Sequence, residues 1–236
     1  MSGARAIFQR VFATGPSDLP SPMDATDVQV YDVTEGALEV DLSSMDWLKT
    51  APVWMTLAER LLLFSLVYGL RPQRYLEIGT FKGGSALLVC HAMDMTDSNG
   101  AITCIDPNPK ISPENWQRIE HRTHLLQGLS PQILTQAFED AGGAFDFVLI
   151  DGDHSYQGVK RDAAGVLPFV ADGAYLLFHD SFFPEIARAL DEYALENRRS
   201  VIDFGTLTRE VTTQQTPSGD AVNWGGLRMM QVRNQA

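Results

Sequence analysis

Basic residues are scarce in this sequence of 236 residues, which has 18 lysines and arginines against 30 aspartates and glutamates. The formal net charge is −12. Nucleic acids and anionic membranes are bound through clustered positive charge, so we expect neither as a partner. The acidic balance is compatible with a metal ion or a compact cationic ligand.

Cysteine is rare as well, since Cys90 and Cys104 are the only two, and both lie in apolar stretches. Such thiols indicate reduced core residues and not a disulfide framework. The apolar stretch 61–70 is interrupted by Ser65 and Gly69 and is too short to span a bilayer. The first twenty residues lack the apolar core of a signal peptide. We therefore expect a cytoplasmic protein.

The first 50 residues differ in character from the rest. Three prolines interrupt a stretch rich in serine and aspartate at 16–22, and short alternating patches follow at 28–42. We interpret 1–50 as an irregular N-terminal arm, which could be a lid, the contact of a homodimer or a partly ordered tail. Residues 51–236 are predicted to form one globular domain.

Strand and helix patterns alternate regularly from Thr56 onward. Thr56 and Glu59 have the spacing of a capping box, and apolar residues then recur at helical intervals up to Tyr68. Ser112 and Ser130 are the expected caps of two later helices. The predicted strands are 74–79, 101–106, 123–127, 145–151 and 174–180, and the predicted later helices are 85–95, 113–121, 131–140, 156–167 and 184–198.

This alternation predicts an α/β fold with a parallel, doubly wound sheet. The strands are nearly continuous apolar runs, as expected where helices cover both faces of a sheet. The tail breaks the rhythm, because two apolar segments at 200–207 and 225–232 are joined by a polar loop with no helix pattern. These segments are predicted to pair as antiparallel strands.

Ligands bind outside the carboxyl ends of parallel strands, so the residues that follow each strand are the candidate site. Glu77 and Gly79 end the first strand, and a glycine-rich turn continues to Ser85. Its glycines allow close approach to a ligand, but it matches neither G-x-G-x-x-G nor a P-loop. Asp106 ends the second strand, where nucleoside-binding folds contact ribose hydroxyls. The structural alternatives are a tight turn for the glycines and a turn cap for Asp106.

The later strands end in further polar residues. Ser130 either faces a ligand or caps the next helix. Asp151 ends the fourth strand with His154 nearby, and His179 and Asp180 end the fifth. Neighbouring strands lie about 4.8 Å apart, so Asp151 and Asp180 are expected to converge. Two buried carboxylates repel unless a proton or cation intervenes, and a divalent ion is one solution.

Four segments, YLEIGTFKGGSALL, ITCIDPNP, FDFVLIDGDHSYQGVKRD and GAYLLFHDS, resemble the class I S-adenosylmethionine-dependent methyltransferases. They are most similar to the small-molecule O-methyltransferase branch, which includes the catechol and caffeoyl-CoA enzymes and the antibiotic sugar and cephalosporin-associated proteins. The similarity covers about residues 55–235. It implies a Rossmann-like sheet of seven strands in the order 3-2-1-4-5-7-6, with strand 7 antiparallel.

The resemblance also implies roles for individual residues. Asp106 would bind the ribose hydroxyls of S-adenosylmethionine, and Ser130 would lie near adenine. Mg²⁺ or Mn²⁺ would be held by Asp151, His179 and Asp180, although His179 replaces an acid and Asp180 an amide of the family pattern. The residues expected to bind the cofactor are Glu77, Gly79, Thr80, Phe81, Ser85, Asp106, Ser130 and Asp151.

The expected reaction is methyl transfer from S-adenosylmethionine to a hydroxyl oxygen of a small molecule. The acceptor would be deprotonated with the help of a divalent ion held by Asp151 and Asp180, or by His154 or His179 as general base. Two other classes are compatible with the sequence: a non-catalytic binding protein of this fold, and a nicotinamide oxidoreductase, which the absence of G-x-G-x-x-G disfavours. The candidates for an apolar wall against the acceptor are Trp47, Trp54 and Phe182.

Overall fold

The computed structural model describes residues 45–96, 98–215 and 221–233. The patches at 28–42 and most of the predicted arm lie outside these residues. The described part of the arm contains a short helix, Trp47–Thr50, whose Leu48 is buried in the same cluster as Leu63. Within the described ranges, no helix is long and apolar enough to cross a membrane.

Helices and strands alternate along the described chain as the sequence predicts. The helices are α1 (Trp47–Thr50), α2 (Leu57–Leu70), α3 (Gly84–Asp94), α4 (Pro113–Ile119), α5 (Leu134–Asp140), α6 (Tyr156–Val166) and α7 (Pro184–Glu196). The strands are β1 (Arg74–Ile78), β2 (Ala101–Asp106), β3 (Thr123–Gln127), β4 (Phe145–Ile150), β5 (Val170–Phe178), β6 (Val201–Thr206), β7 (Thr212–Gln215), β8 (Ala221–Trp224) and β9 (Arg228–Val232).

The main sheet has seven strands in the order β3-β2-β1-β4-β5-β9-β6. Strands β1 to β5 pair in parallel, and β9 lies antiparallel between β5 and β6. This confirms the predicted doubly wound fold and the predicted order, with β9 as the seventh strand. Helices cover both faces, since Leu76 and Ile78 of β1 belong to one buried cluster and Tyr75 belongs to the other.

Two details differ from the expectations. The segment expected to be a polar loop contains β7 and β8, which pair as a small antiparallel sheet. Because β7 is exposed along its whole length, its sequence has no apolar alternation to indicate a strand. Ser130 does not cap α5, which begins only at Leu134 after a turn closed by a hydrogen bond from Leu134 N–H to the Pro131 carbonyl. The capping box of Thr56 and Glu59 and the cap at Ser112 are both present.

Candidate active site

A cavity of about 660 Å³ lies at the carboxyl ends of β1 to β5, the edge of the sheet where the sequence places the candidate site. This volume is within the range of pockets for small molecules. Seven of the eight residues predicted to bind a cofactor line it, and Glu77 does not. The seven are Gly79, Thr80, Phe81, Ser85, Asp106, Ser130 and Asp151.

The turn after β1 passes so close to the end of β4 that only glycine fits at its first position. Gly79 has a φ of +92°, and a Cβ there would lie 2.1 Å from the Asp151 carbonyl oxygen and 2.8 Å from the Gly152 Cα. Any side chain at this position would therefore displace the main chain of the neighbouring strand end. The turn consequently presents bare backbone to the cavity.

Glu77 lies directly behind this turn and is fully buried. Its carboxylate accepts hydrogen bonds from the Ser85 hydroxyl at 2.9 Å and from the Tyr75 hydroxyl at 3.3 Å. Burial raises the pKa of Glu77 to about 7, and the Ser85 hydrogen bond opposes that rise. Because Ser85 lines the cavity and Glu77 does not, Glu77 is placed to orient the Ser85 hydroxyl.

Asp106 connects two turns at the floor of the cavity. Its carboxylate accepts hydrogen bonds from the Phe81 N–H and from the Asn108 N–H, each at 2.7 Å. Asp106 therefore caps these turns, as the structural alternative in the sequence analysis predicts. A carboxylate offers about four acceptor sites, so Asp106 has capacity left for hydroxyl donors in the cavity.

Four buried polar atoms of residues that line this cavity have no hydrogen-bond partner in the described part of the chain. They are Thr80 Oγ1, Ser130 Oγ, Asp162 Oδ1 and His179 Nε2. Native proteins leave few buried polar groups unpaired, so each is a candidate ligand contact. Sequence analysis missed Asp162. It lies three residues after Val159 and four before Val166, on the buried face of α6. An acidic residue among the apolar positions of that face is the sequence signal that could have identified it.

The opposite end of the cavity holds two carboxylates and two imidazoles. His179 Nδ1 lies 3.0 Å from Asp151 Oδ1 and 3.4 Å from Asp180 Oδ2. His154 Nε2 lies 3.0 Å from Asp180 Oδ2 and 3.4 Å from Asp151 Oδ1. The side chains after β4 and β5 thus converge, as expected from the strand spacing.

These contacts shift the pKa values of the cluster strongly. Burial alone would raise the pKa of Asp151, but His179 and His154 lower it to about 2. Hydrogen bonds to Asp151 and Asp180 raise the pKa of His154 to about 9. Burial opposes protonation of His179, yet Asp151, Glu59 and Asp180 raise its pKa well above the ordinary value. Both histidines therefore carry protons at neutral pH in the free protein.

A fifth ionisable residue completes the cluster, and sequence analysis assigned it only to a helix cap. The Glu59 carboxylate lies 3.6 Å from His179 Nε2 and accepts hydrogen bonds from the Thr56 N–H and the Gly226 N–H. Burial alone would raise the pKa of Glu59, but His179 and the two N–H groups lower it. The local sequence around Glu59 contains no signal for this contact, because Gly226 lies 167 residues away.

The loop before β9 also fixes Asp180. Asp180 has a φ of +56°, and its Oδ1 accepts a hydrogen bond from the Gly225 N–H at 2.6 Å. Next to it, the Trp224 ring stacks on Phe183 at 4.3 Å and meets the His154 ring edge-on at 5.8 Å. Strand β8 therefore brings an aromatic ring against the charged cluster.

The three aromatic residues predicted to form an apolar wall are placed differently from one another. Trp54 lines the cavity and is 81% exposed, with its ring 5.5 Å from that of Phe81. Trp47 instead stacks on His91 at 4.4 Å. Phe182 lies against Gly226, where a Cβ would approach its ring to 2.7 Å. Of the three, Trp54 alone lines the cavity.

The charged cluster also has the composition of a divalent-metal site. Asp151, His154 and Asp180 place one ligand atom each within 4.8 Å of one another. This set contains His154 where the resemblance implied His179, whose Nδ1 and Nε2 face Asp151 and Glu59. Two carboxylates with an imidazole fit Mn²⁺ better than Mg²⁺, which prefers oxygen ligands alone.

Comparison with known proteins agrees with this geometry. Residues 76–181 match the family described as methyltransferase domain. An uncharacterised protein of Sinorhizobium fredii is 28% identical over 153 residues, which are 57% of this chain and 15% of that protein. The chain therefore spans a small part of the length of this relative.

Two solved structures share the fold. One is the O-methyltransferase TomG from Streptomyces achromogenes, which is involved in tomaymycin synthesis and was solved in complex with S-adenosylmethionine. It has a TM-score of 0.59 at 16% identity, and the match covers 80% of this chain and 90% of the TomG chain. An O-methyltransferase from Bacillus cereus in complex with S-adenosylhomocysteine has a TM-score of 0.59 at 18% identity, covering 78% and 86%. Residues 76–181 therefore match a methyltransferase domain, and the described chain has the Rossmann-like fold of these O-methyltransferases, which confirms the predicted fold class.

Proposed function

We propose that this protein transfers a methyl group from S-adenosylmethionine to a hydroxyl oxygen of a small molecule. The observation that carries this proposal is a single cavity that joins two kinds of surface. One end has the bare Gly79 turn and Asp106, and the other has Asp151, His154 and Asp180. The O-methyltransferases of the same fold that were solved with S-adenosylmethionine or S-adenosylhomocysteine support it.

The residues at the first end fit the cofactor. The Gly79 position leaves no room for a side chain, so a ligand there would lie directly on the backbone. Asp106 has acceptor capacity for ribose hydroxyls, and the unpaired Thr80 hydroxyl faces the same space. The three carboxylates of the charged cluster outnumber its two protonated histidines, so the other end favours a ligand with a positive charge.

Bound S-adenosylmethionine would supply a methyl group on a positively charged sulfur. The new oxygen–carbon bond forms as the carbon–sulfur bond breaks, and the products are the methyl ether, S-adenosylhomocysteine and one proton. The cavity contributes by holding the acceptor oxygen in line with the methyl carbon and the sulfur, because such positioning removes much of the entropic barrier.

The released proton needs an acceptor in the charged cluster, and His154 is the candidate. Its side chain is 40% exposed, so it can exchange protons with water. With a pKa of about 9 it acts as a base only in the fraction that has lost its proton. A divalent ion held by Asp151, His154 and Asp180 would supply direct acidification of the acceptor hydroxyl.

One observation favours a second candidate, a protein that binds the cofactor without turnover. The histidines already neutralise most of the charge of the neighbouring carboxylates, so the cluster is a complete ion-pair network in the free protein. On this interpretation Asp151 and Asp180 would hold the loops together and take no part in a reaction.

Calorimetric titration with S-adenosylhomocysteine, followed by a turnover assay, tests the proposal. Wild-type protein should bind with a Kd in the micromolar range and should release S-adenosylhomocysteine from S-adenosylmethionine with at least one hydroxylated acceptor, with or without Mn²⁺. Asp180→Asn should keep the affinity and lose turnover by at least about 100-fold. The control is Asp140→Asn, whose carboxylate contacts only His124 among the described residues and lies away from the cavity.

Two outcomes would count against the proposal in different ways. If wild-type protein does not bind S-adenosylhomocysteine, the cofactor assignment is wrong. If it binds but no acceptor of a phenol, sugar and hydroxamate panel is methylated under any metal condition, the non-catalytic candidate is correct.

A further inference from the structure

A second cluster of metal-ligating side chains lies outside the cavity, where α3 contacts the turn between α4 and β3. It consists of Cys90 and Asp94 on α3 and of His121 in that turn. None of these three residues lines the cavity. Helix α3 begins at the cavity wall with Gly84 and ends at Asp94, about 15 Å farther along its axis. This thiol cluster is therefore separate from the charged cluster at the ends of β4 and β5.

The distances within the thiol cluster match those of a tetrahedral zinc site. Cys90 Sγ lies 3.6 Å from Asp94 Oδ2 and 3.8 Å from His121 Nε2. His121 Nε2 lies 3.1 Å from Asp94 Oδ1. Zinc bonds of about 2.3 Å to sulfur and about 2.05 Å to nitrogen or oxygen, set at the tetrahedral angle, place S and N about 3.6 Å apart and N and O about 3.3 Å apart. The three side chains thus already have nearly the spacing that the ion requires.

Arg122 orients this cluster and leaves one of its contacts unsatisfied. Its guanidinium donates to the Ser98 and Gly100 carbonyls at 3.0 and 2.9 Å and to Asp94 Oδ1 at 2.6 Å. Its Nε also donates to His121 Nε2 at 3.3 Å. One ring nitrogen cannot accept from Arg122 and donate to Asp94 at once. A cation would take the lone pair of this nitrogen, and Arg122 would remain on Asp94 as the outer hydrogen bond that ligating carboxylates have.

The thiol determines which cation fits. Cys90 is 1% exposed, and its Sγ also lies 3.6 Å from the Arg118 carbonyl oxygen, so the thiol is fixed in place. Burial, reinforced by the Asp94 charge, raises the pKa of Cys90 to about 12. An ion that binds here must displace the thiol proton to solvent. A thiophilic ion such as Zn²⁺ does so, whereas Mg²⁺ and Ca²⁺ prefer oxygen ligands.

We propose that Cys90, Asp94 and His121 form a binding site for Zn²⁺ or a similarly thiophilic divalent cation, with water as the fourth ligand. The side chains of Asp94 and His121 are 38% and 48% exposed, so the ion and its water reach the site from solvent. Bound there, the ion fastens the end of α3 to the turn before β3. The site does not depend on the proposed function, because it shares no residue with the cavity.

Titration with Co²⁺ in a buffer free of thiols tests the site. Co²⁺ takes the place of Zn²⁺ and shows an intense charge-transfer absorption in the near ultraviolet when a thiolate binds it. The band should appear in wild-type protein, saturate at about one equivalent and disappear when Zn²⁺ is added. Co²⁺ at the charged cluster gives no such band, because Asp151, His154 and Asp180 offer no sulfur. Absence of the band in wild-type protein would overturn the proposal.

Two ligand variants and two matched controls identify the site. Cys90→Ser should lose the band, and His121→Gln, at an exposed position, should weaken Zn²⁺ binding by at least about 100-fold. Cys104→Ala should keep the band, since Cys104 is the other cysteine of the chain. His124→Gln should keep the band and the affinity. His124 also contacts an aspartate, Asp140 at 3.3 Å, but belongs to no metal-ligand group among the described residues.

Two outcomes with these variants would overturn the proposal. A band kept in Cys90→Ser and lost in Cys104→Ala would place the ion at the other thiol. Unchanged Zn²⁺ affinity in His121→Gln would reduce the site to a single thiol. Neither outcome bears on methyl transfer, so the proposed function is tested separately.

Thermal unfolding gives a readout that does not depend on the absorption band. Zn²⁺ should raise the Tm of Asp180→Asn, in which the charged cluster has lost one ligand. This rise should vanish when His121→Gln is added to that variant, because the thiol cluster then lacks its imidazole. An equal rise in both proteins would contradict the proposal.

Discussion

Replacing Glu59 with alanine is expected to lower the free energy of unfolding by about 3 to 5 kcal/mol. The Glu59 carboxylate accepts hydrogen bonds from the N–H of Thr56, the N-cap residue of α2, and from the buried Gly226 N–H. Each buried donor left unpaired costs about 1 to 3 kcal/mol. The variant also removes a negative charge 3.6 Å from the buried, protonated His179. These losses together give the expected range.

The matched control for this variant is Thr56→Ala. It removes the other half of the capping box, the hydroxyl that accepts a hydrogen bond from Glu59 N–H at 3.3 Å, and leaves the Glu59 carboxylate in place. Loss of such a cap costs about 0.5 to 2 kcal/mol. Both variants can be compared with wild type by urea denaturation at neutral pH. If Glu59→Ala costs no more than Thr56→Ala, Glu59 is a helix cap only and its proposed contact with His179 contributes nothing.

The pH dependence of the same comparison gives a second test. The pKa of Glu59 is lowered from 4.5 in the folded protein, so its stabilisation is present above that value and lost as pH falls through the lower one. The pKa of His179 is raised from 6.5, so its stabilisation is present below that value and lost as pH rises through the higher one. The difference between wild type and Glu59→Ala should therefore be largest between pH 4.5 and 6.5.

Three further variants test other parts of the cavity. Gly79→Ala should abolish binding of S-adenosylhomocysteine and should cost more stability than the control Gly173→Ala. A Cβ at Gly79 would lie 2.1 Å from the main chain of the neighbouring strand end, while Gly173, also at positive φ, has open space around it. Equal losses of stability in the two variants would contradict the steric argument. Mn²⁺ should raise the Tm of wild type and not that of Asp180→Asn, and EDTA should reverse the rise; an equal rise in both would remove Asp180 from the metal site. Without metal, the turnover of wild-type protein should rise towards pH 9, because the pKa of His154 is about 9. His154→Gln should flatten this pH profile, and an unchanged profile would exclude His154 as the base.

The sequence predicts the fold well because the main elements carry local signals. Strands β1, β2 and β4 are buried along almost their whole length and read as nearly continuous apolar runs, and helices α4 and α6 are capped by Ser112 and Ser155. Strands β7 and β8 could not be found in this way. Their residues are largely exposed, and their pairing depends on a chain reversal between 215 and 221 that apolar periodicity does not report.

The site was predictable only where strand adjacency determines it. Asp151 and Asp180 each follow one of two neighbouring parallel strands, so their convergence follows from the sheet order. The contacts of Glu59 with Gly226 and of Asp180 with Gly225 join residues 167 and 45 positions apart. No local pattern encodes such contacts, since they depend on how the loop before β9 crosses the sheet.

The two ends of the cavity differ in how their polar groups are satisfied, and this predicts different costs of mutation. At the charged end, Asp180 is paired with Gly225 and the histidines before any ligand binds. At the other end, next to Asp106, Ser130 Oγ and Asp162 Oδ1 make no hydrogen bond among the described residues. Removing a paired group destabilises the free protein, whereas neutralising Asp162, whose ion pair is a single 3.5 Å contact with Arg161, loses little pairing and relieves a desolvation cost. Asp180→Asn should therefore lower the Tm of the free protein and Asp162→Asn should leave it unchanged or raise it. The opposite order would mean that the contact of Asp162 with Arg161 stabilises the fold and that the charged end is not held together by its ion pairs.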